Sequence, residues 1–431
     1  MDFTLLHPAD QIVMIMDRIY RYGMTTTSGG NLSILDDDGN IWITPGGVDK
    51  GTLTRKDIMC VQPDGTIVGH HKPSIEFPFH KRVYEIRKDV RAVLHAHPPA
   101  LVSFSIARVI PNTRLLPKSH LVCGNVGMAP YDLPGSMRLG EKIAQEFAKG
   151  YNLVMLENHG VVVADTNLFE AFKAFETLDF TARIEINARR IGSPFVLTEE
   201  ALDRLESRLG EQMPEFVPAG RSSRENEARR EMCELVHRAY DQQLFTSTQG
   251  TFSVRLDEDT FLITPYDTDR KYLELGDPVL VRNGMREAGK IPSQSVAFHE
   301  AVYRKQKHVD AIIIAHAPNV MAFAVTEAAF DSRTIPESYI MLRNVPKIPF
   351  AVPILQPEMT ADLFVPSVPV AIIENDSVVV TGSSLLNAFD RLEVAEYSAK
   401  GIIDSRMLGE MIAINDEQVE EIIEAFRLPK A

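Results

Sequence analysis

The sequence predicts two tandem α/β domains, each with three layers in which helices cover both faces of a central, mainly antiparallel sheet. Two observations lead to this prediction. One long pattern of segments occurs twice along the chain, and helical and strand patterns alternate within each occurrence. The chain has 431 residues, which is enough for about two to three domains that each bury a core of their own.

Five segments recur in the same order at a nearly constant separation. Of these, "KPSIEFPFHKRVYEIRKDVRAVLHAHPPA" (72–100) resembles "IPSQSVAFHEAVYRKQKHVDAIIIAHAPN" (291–319), and "VMLENHGVVVAD" (154–165) resembles "AIIENDSVVVTG" (371–382). A unit of roughly 200 residues is far longer than a solenoid repeat, so we predict a duplicated domain. We place the first copy at 1–195 and the second copy at 227–431. The proline-containing, charged stretch 196–226 is predicted to be a linker.

Each element of the first copy has its own signal. A helix is predicted over 8–23 with Asp10 as its candidate cap, because apolar residues such as Ile12, Ile15 and Ile19 recur at helical spacing. A hairpin follows, because two apolar runs flank Asp-Asp-Gly-Asn at 37–40. The remaining predicted elements are a helix at 74–87, a strand at 90–98, a loop region at 110–135, a helix at 135–150 capped by Ser136, two strands around a tight turn at 153–165, and a long helix at 167–192.

The composition is that of an ordinary globular protein and argues against some partners. A formal net charge of −14 disfavours nucleic acid and acidic membranes, although a local pocket can still be positive. The three cysteines, Cys60, Cys123 and Cys233, are widely spaced and favour a reducing compartment. No signal peptide is evident, and no apolar run reaches the roughly 20 residues that span a bilayer, so we expect a cytoplasmic protein.

Two histidines end the strand predicted at 90–98. His95 and His97 share one face of that strand, about 7 Å apart along it, so both imidazoles can bind one divalent ion. A catalytic zinc site usually has three protein ligands, and His159 is the candidate for the third, because Gly160 allows a sharp turn there. Alternatively, all three are hydrogen-bonded polar residues at strand ends.

The second copy helps to decide between these interpretations. At the aligned positions it has Ile314, His316 and Asp376 instead of His95, His97 and His159, and Ser295 instead of Glu76, while the surrounding framework persists. Structural histidines should be needed in both copies, so this contrast favours a metal site confined to the first copy. By the same argument His80, which has the counterpart His299, is predicted to be structural.

Other residues of the first copy are candidates for acid/base chemistry and anion binding. Glu76 lies near a helix start, as a general base, an additional ligand or an ordinary glutamate favoured there by the helix dipole. The turns "SGGNLS" (28–33) and "TPGG" (44–47), together with Ser74, expose backbone N–H groups and small polar side chains that can hold an anion. Glycine-rich segments are also simply turns.

Taken together, these motifs resemble the class II aldolase/adducin family. The resemblance lies in "GGNLS" (29–33), "ITPGG" (43–47), "KPSIEFPFH" (72–80), "HAHP" (95–98) and "NHG" (158–160), in that order, and covers most of residues 8–190. It implies an α/β/α domain with a divalent metal on His95, His97 and His159, zinc first and manganese or cobalt as alternatives. It also implies catalysis by Glu76.

The same resemblance assigns the substrate-binding residues. The positions that hold a substrate phosphate in the sugar-phosphate aldolases correspond to Asn31, Thr44, Gly46, Gly47 and Ser74. Those aldolases commonly have two serines before the glutamate, whereas here Ile75 follows Ser74, so one hydroxyl of the proposed anion site is missing.

The resemblance implies a metal-dependent lyase of the aldolase type, which forms or cleaves a C–C bond of a small hydroxy-carbonyl or sugar-phosphate substrate through a metal-held enediolate. Epimerisation, decarboxylation and dehydration remain alternatives, because the second acid or base is unassigned; His120 and Tyr131 are candidates. A non-catalytic, adducin-like interaction protein is the alternative of another class. Many relatives are fourfold tetramers, so a tandem chain implies a homodimer that forms a pseudo-tetramer.

Overall fold

The computed structural model describes residues 3–206 and 213–428. The described residues form two compact units. The N-terminal unit takes those in Asp2–Arg114 and Lys118–Arg183, and the C-terminal unit takes those in Leu115–Pro117 and Ile184–Ala431. The chain is mixed α/β with two large sheets, as the sequence predicts.

The first copy contains an eight-stranded sheet with the order β4-β3-β2-β1-β5-β8-β7-β6. All neighbouring strands in it are antiparallel except β6 and β7. The strands are β1 Asn31–Leu35, β2 Ile41–Ile43, β3 Met59–Val61, β4 Ile67–Val68, β5 Ala92–Ala96, β6 Val126–Ala129, β7 Leu153–Leu156 and β8 Val161–Asp165. The helices are α1 Pro8–Arg21, α2 Phe77–Ile86, α3 Pro99–Ala107, α4 Pro117–Cys123, α5 Met137–Ala148 and α6 Leu168–Ile191.

Helices cover this sheet on both faces. All five residues of β5 are buried, which requires apolar cover above and below the strand. On one face Val93 packs in a cluster with Val83 of α2 and with Ile143 of α5. On the other, Leu32 of β1 is fully buried, and α1 contacts β1 and β2.

The second sheet repeats the same strand order and adds one edge strand. Its order is β15-β16-β17-β14-β10-β11-β12-β13-β9, so β10 and β14 occupy the places of β1 and β5. Its strands are β9 Glu215–Phe216, β10 Thr251–Asp257, β11 Thr260–Ile263, β12 Val279–Arg282, β13 Met285–Glu287, β14 Ala311–Ala315, β15 Lys347–Ile348, β16 Val370–Ile373 and β17 Ser377–Gly382. The helices are α7 Glu199–Glu206, α8 Ser223–Asp241, α9 Val296–Lys305, α10 Val320–Ala324, α11 Pro336–Leu342, α12 Val352–Leu355, α13 Pro357–Ala361, α14 Leu385–Ser405 and α15 Asp416–Phe426.

Most local predictions agree with these elements, and two differ. The cap of α1 is His7, whose Nδ1 accepts a hydrogen bond from the N–H of Ala9, whereas Asp10 lies inside the first turn. The region 110–135 is not a loop, because it contains α4 and β6. Its apolar residues are too few to show a period, so only the tertiary packing reveals these elements.

The predicted linker 196–226 contains regular structure in its described part. Glu199–Glu206 forms α7, and β9 pairs in parallel with β13 at the edge of the second sheet. Residues 207–212 of this segment lie outside the described residues, and the domain boundaries stay predictions. Among the helices described, none is long and apolar enough to cross a membrane.

Both copies bury the same polar cluster between a strand and a helix. In the first copy, the Ser33 hydroxyl lies 2.7 Å from His80 Nδ1 and 2.7 Å from the Tyr84 hydroxyl. In the second copy, Ser253 makes the equivalent contacts of 2.6 Å with both His299 and the corresponding tyrosine. This agreement is what a structural role of the histidine requires.

We expect acid to destabilise the fold through this cluster. Burial lowers the pKa of His299 to about 3 and holds the pKa of His80 well below its ordinary value. Below about pH 6.5 the unfolded chain binds a proton that the folded chain does not bind. The free energy of unfolding therefore decreases as the pH falls from about 6.5 towards 3, by up to roughly 1.4 kcal/mol per pH unit and group. Urea denaturation at several pH values in this window measures the decrease.

Two variants serve as controls for this expectation. His299→Gln should show a smaller decrease than the unmodified chain, because one buried titratable group is gone. A variant at exposed His70, His70→Ala, should retain the full decrease. Equal pH dependence in all three proteins would show that the buried histidine is not responsible.

Candidate metal centre

Strand pairing brings the three predicted ligands together. His95 is fully buried in β5, opposite Asn31 of β1 and Val162 of β8. His97 follows directly after β5, and His159 lies in the tight turn between β7 and β8. A Cβ at Gly160 would lie 2.5 Å from the carbonyl oxygen of Ala96 and 2.6 Å from His97 Cδ2, so this turn requires glycine.

The three imidazoles face one another at the distances of a shared ligand. One ring nitrogen of each lies within 4.8 Å of the others, and the ring centroids are 4.7 to 4.9 Å apart. Within residues 3–206 and 213–428, His95, His97 and His159 form the group that can hold a metal ion. The structure thus places the three residues that the sequence pattern predicted around one point.

The donor set fits a divalent cation. Burial, together with the neighbouring His159, lowers the pKa of His95 to about 3, and burial beside His95 lowers the pKa of His97 to about 3. Both rings are therefore neutral near pH 7 and have a lone pair to donate. His95 Nδ1 donates to the carbonyl oxygen of Val161 at 2.9 Å, which leaves Nε2 as the ligating nitrogen.

Glu76 lies at the edge of this group with one free carboxylate oxygen. It caps the N-terminus of α2 and is 7% exposed. Its Oε2 is 3.4 Å from His95 Nε2, and its Oε1 is 3.9 Å from His159 Nε2. Oε1 is buried and has no hydrogen-bond partner among the described residues. A buried carboxylate oxygen without a partner is costly, so this atom is available for a metal, a proton or a substrate.

A chain of hydrogen bonds orients Glu76. The Tyr84 hydroxyl contacts Ser33 Oγ, Ser33 Oγ contacts His80 Nδ1, and His80 Nε2 contacts Asn31 Oδ1 at 2.5 Å. Asn31 Nδ2 then donates to Glu76 Oε2 at 2.7 Å. Because Asn31 Oδ1 can only accept, His80 carries its proton on Nε2 and accepts from Ser33. His80 is therefore structural, as predicted, and in the first copy it also supports the candidate catalytic group.

In the second copy this hydrogen-bond chain is shorter. Tyr303, Ser253 and His299 are retained, but Thr251 replaces Asn31 and bonds to Ser293 at 2.7 Å instead. His299 Nε2 is buried without a hydrogen-bond partner in the described structure. The second copy thus keeps the interior part of the cluster and lacks the part that reaches the site.

The ligand positions of the second copy have also changed character. Ile314 cannot ligate a metal, and Asp376, which takes the place of His159, accepts a hydrogen bond from Ser377 Oγ at 2.8 Å. Burial raises the pKa of Asp376, which favours the protonated and uncharged carboxyl group. These substitutions explain why one histidine, His316, is insufficient for a site there.

The predicted anion-binding residues lie on two adjoining segments. The bridge between Pro45 and Pro73 joins the "TPGG" turn to the segment that precedes α2, and Ser74 N–H donates to the carbonyl oxygen of Thr44 at 3.2 Å. A Cβ at Gly46 would lie 3.3 Å from the carbonyl oxygen of Pro73. The structure therefore brings Thr44, Gly46, Gly47 and Ser74 together beside Glu76.

The side chains of this group are not equally available to a ligand. Thr44 Oγ1 is buried and accepts from the N–H of Leu32 at 3.2 Å, and Thr264 makes the same contact in the second copy. Both polar atoms of the Asn31 side chain are engaged by His80 and Glu76. Ser74 Oγ accepts from the N–H of Glu76 at 3.3 Å and can still donate its hydroxyl proton.

Two basic residues near the site were not singled out from the sequence. Lys50 is 2% exposed, and its ammonium donates to the carbonyl oxygen of Pro45 at 2.7 Å, which anchors the "TPGG" turn beneath the candidate anion site. Its counterpart Arg270 holds Pro265 in the same way, so the basic residue shared by "TPGGVDK" and "TPYDTDR" was a usable signal.

Arg108 is the second of these residues. It follows α3 and reaches the turn that carries His159, since its Nη2 is 3.3 Å from Asn158 Oδ1 and 3.8 Å from Glu157 Oε2. Nothing in the local sequence around Arg108 indicates this contact, because the two segments are 50 residues apart.

The two candidates for a second acid or base lie in different surroundings. His120 is on α4, and its Nδ1 is buried without a hydrogen-bond partner in the described part of the chain. Tyr131 is 53% exposed, and its N–H donates to Glu157 Oε2 at 3.1 Å, close to the His159 turn. Their role stays a proposal.

With this geometry established, known proteins are informative. A sequence model of the family described as "Class II Aldolase and Adducin N-terminal domain" matches residues 10–186 and again residues 230–403. The chain belongs to this family. Two matched segments are consistent with tandem duplication, and the relatives compared here are enzymes.

Three similar proteins illustrate the relationship. The 5-deoxy-D-ribulose 1-phosphate aldolase of Bacillus thuringiensis is 30% identical over 46% of this chain and 94% of its own length. The 3-oxo-tetronate 4-phosphate decarboxylase of Pectobacterium atrosepticum is 33% identical over 40% of this chain and 81% of its own. The solved structure of YgbL from Escherichia coli is 30% identical, covers 46% of this chain and 96% of that one, and has a TM-score of 0.42. Each relative therefore spans about one of the two family segments.

Substitution of a buried histidine should separate the two copies by their metal content. We expect His95→Ala to remove bound metal, because two imidazoles remain where three are needed. His316→Ala, the matched control in the second copy, should leave the metal content unchanged. Elemental analysis of the purified proteins measures both, and circular dichroism checks that each variant is folded. Equal metal loss in both variants, or none in either, would contradict a site confined to the first copy.

Proposed function

We propose that this chain is a metal-dependent lyase that breaks a C–C bond next to the ketone of a small phosphorylated hydroxy-carbonyl compound. One observation above all supports this: the unpartnered Oε1 of buried Glu76 lies beside three imidazoles, two of which have a pKa of about 3. Such a site combines a proton-transferring group with neutral nitrogen ligands. His95, His97 and His159 would hold the cation, with zinc as the first choice.

When bound, a divalent cation supplies Lewis acidity, which stabilises negative charge on a ketone oxygen and its neighbouring hydroxyl oxygen. The chain itself moves the proton. Asn31 holds Glu76 Oε2, so Oε1 is the oxygen that gives a proton to, or takes one from, the substrate carbon. The hydroxyl of Ser74 and the backbone N–H of Gly47 are donors for the substrate phosphate, and Lys50 adds positive charge beneath the turn.

Aldol cleavage is the first form of this proposal. The bond between the carbon next to the ketone and the carbinol carbon breaks, and its electron pair stays with the former. Glu76 then protonates that carbon, while the carbinol hydroxyl gives its proton to a second base and leaves as an aldehyde. Tyr131 and His120 are the candidates for the second base. The similarity to a sugar-phosphate aldolase supports this form.

Decarboxylation is the second candidate, and a specific observation favours it. Loss of CO₂ from a β-keto acid leaves the electron pair on the same carbon and removes no hydroxyl proton, so a single acid such as Glu76 is sufficient. Among the described residues near the three histidines, Glu76 is the carboxylate within 4 Å. The similarity to a 3-oxo-tetronate 4-phosphate decarboxylase supports this form.

The two forms are separated by their products. Metal-loaded protein is incubated with ketose 1-phosphates and, separately, with 3-oxo-tetronate 4-phosphate. Release of an aldehyde indicates aldol cleavage, and release of CO₂ indicates decarboxylation. We expect Glu76→Gln to lower either rate by about 100-fold or more, because positioned acid–base catalysis is typically of that size. Metal-loaded protein that releases neither product would contradict the proposal.

Asn31 should affect the rate through Glu76. Asn31→Ala removes the donor to Glu76 Oε2, so we expect the turnover number to fall roughly 10- to 100-fold while the metal stays bound. The matched control is Thr251→Ala, because Thr251 is the counterpart of Asn31 in the second copy. Steady-state kinetics and elemental analysis measure the two effects. A rise in KM with an unchanged turnover number would indicate that Asn31 binds the phosphate rather than orienting Glu76.

The proposed assembly is a homodimer in which four family domains form a pseudo-tetramer with two metal sites, within the cytoplasm. The double match to a single family supports it. Light scattering should give twice the chain mass of 48.2 kDa. A mass of one chain at micromolar concentration would contradict this assembly.

A further inference from the structure

A cavity of about 210 Å³ lies in the C-terminal unit, among β14, β17, α11 and α14, and it contains basic groups that the proposed reaction does not use. Arg343, Arg391 and His308 line it, together with the polar residues Ser383 and Asn387. None of the described residues that line it is an aspartate or glutamate. In a chain of net charge −14, two arginines in a cavity without a carboxylate are unusual.

The first copy shows which of these residues are special to the second. Arg343 corresponds to Gly124, and in both copies this residue has a φ of 56° directly after a seven-residue helix. The carbonyl oxygen of Gly124 accepts from Thr113 Oγ1 at 2.9 Å, and that of Arg343 accepts from Ser332 Oγ at 2.6 Å. The backbone is therefore the same in both copies, and the second copy has added a side chain to it.

The added side chain stands on an unfavourable backbone conformation. Arg343 has φ 56° and ψ −129°, a region that favours glycine and costs a residue with a Cβ roughly 1–3 kcal/mol. The Arg343 side chain is nevertheless 5% exposed and faces the cavity. A buried cation on a strained backbone is expected where the cation has a use.

The other cavity residues have changed in the same direction. Arg391 on α14 replaces Ala174, Asn387 replaces Glu170, and His308 replaces Asp89. The second copy has thus lost two carboxylates at this place and gained a second arginine. Neutral or positive residues stand wherever the first copy has a negative one, so the change is one of charge and not only of size.

Arg391 retains hydrogen-bonding capacity towards the cavity. Its Nη1 donates to the carbonyl oxygen of Thr381, and its Nε is buried without a hydrogen-bond partner in the described structure. Burial lowers the pKa of Arg391, which the adjacent Asp390 offsets only in part. The nearest acidic residue to His308 is Asp310, which is paired with Arg255 at 3.2 Å. An anionic ligand would stabilise the partly desolvated cation.

We propose that this cavity is a binding site for the phosphate group of a small phosphorylated metabolite, separate from the three histidines of the first copy. Two guanidinium groups match the geometry of a phosphate, to which each can donate two hydrogen bonds. The volume of about 210 Å³ is below that of pockets for drug-sized ligands, so the molecule attached to the phosphate is small. The second copy then has a ligand of its own in place of a metal site.

The experiment uses the intact chain and two substitutions taken from the first copy. Arg343→Gly and Arg391→Ala restore the residues that Gly124 and Ala174 provide there, so the combined variant should fold, and a thermal melt checks this. Calorimetric titration with glycerol 3-phosphate, inorganic phosphate and glycerol measures affinity and the number of sites. The control is Arg304→Ala, an exposed arginine paired with Glu358 on the same unit.

We expect the combined variant to lose one glycerol 3-phosphate site, or to bind it at least ~10-fold more weakly, the size expected when charge-assisted hydrogen bonds are lost. Arg304→Ala, the metal content and the basal turnover should be unchanged, which separates this site from the one in the first copy. Competition by inorganic phosphate would show that the phosphate group alone is recognised, and its failure would assign recognition to the whole ester. Equal affinity and number of sites in the combined variant and the unmodified chain, or equal binding of glycerol, would overturn the proposal.

Discussion

The antiparallel pairing of β5 with β1 on one side and β8 on the other is the constraint on which the candidate site depends. This register sets Asn31 opposite His95 and brings the turn that carries His159 against the end of β5. A shift of one residue would turn His95 to the other face of the sheet and separate it from Glu76. The register is held by the complete burial of β5, because any slip would exchange buried apolar residues for polar ones.

The two copies show how one scaffold can keep its fold and lose its chemistry. The strand order and the buried Ser–His–Tyr cluster are common to both, and they are the features that packing requires. The residues that differ lie where β5 or β14 ends and at the start of the following helix, and these positions contribute little to the core. Replacing three polar groups there leaves the interior contacts intact, so loss of a metal site and retention of stability are compatible.

Charge follows the same division. In the first copy, buried neutral imidazoles and one carboxylate surround a point that suits a cation. In the second copy, two arginines and a histidine surround a cavity that suits an anion. The protein as a whole is acidic, so each of these local environments is created by a few residues and not by the net charge. Function in such a chain is to be sought in small clusters of charge that oppose or exceed the general field.

The sequence alone determined the duplication, the α/β class and the three histidines, because each rests on a local period or on comparison of aligned segments. The two-residue spacing of His95 and His97 and the turn at Asn158–Gly160 are visible without a structure. Only the tertiary structure decided what Asn31, Lys50 and Arg343 do. Asn31 and Glu76 are 45 residues apart, and their hydrogen bond depends on strand register, which no local pattern contains. The same reason hid the cavity of the second copy, since its arginines come from separate helical segments and meet only after the sheet has formed.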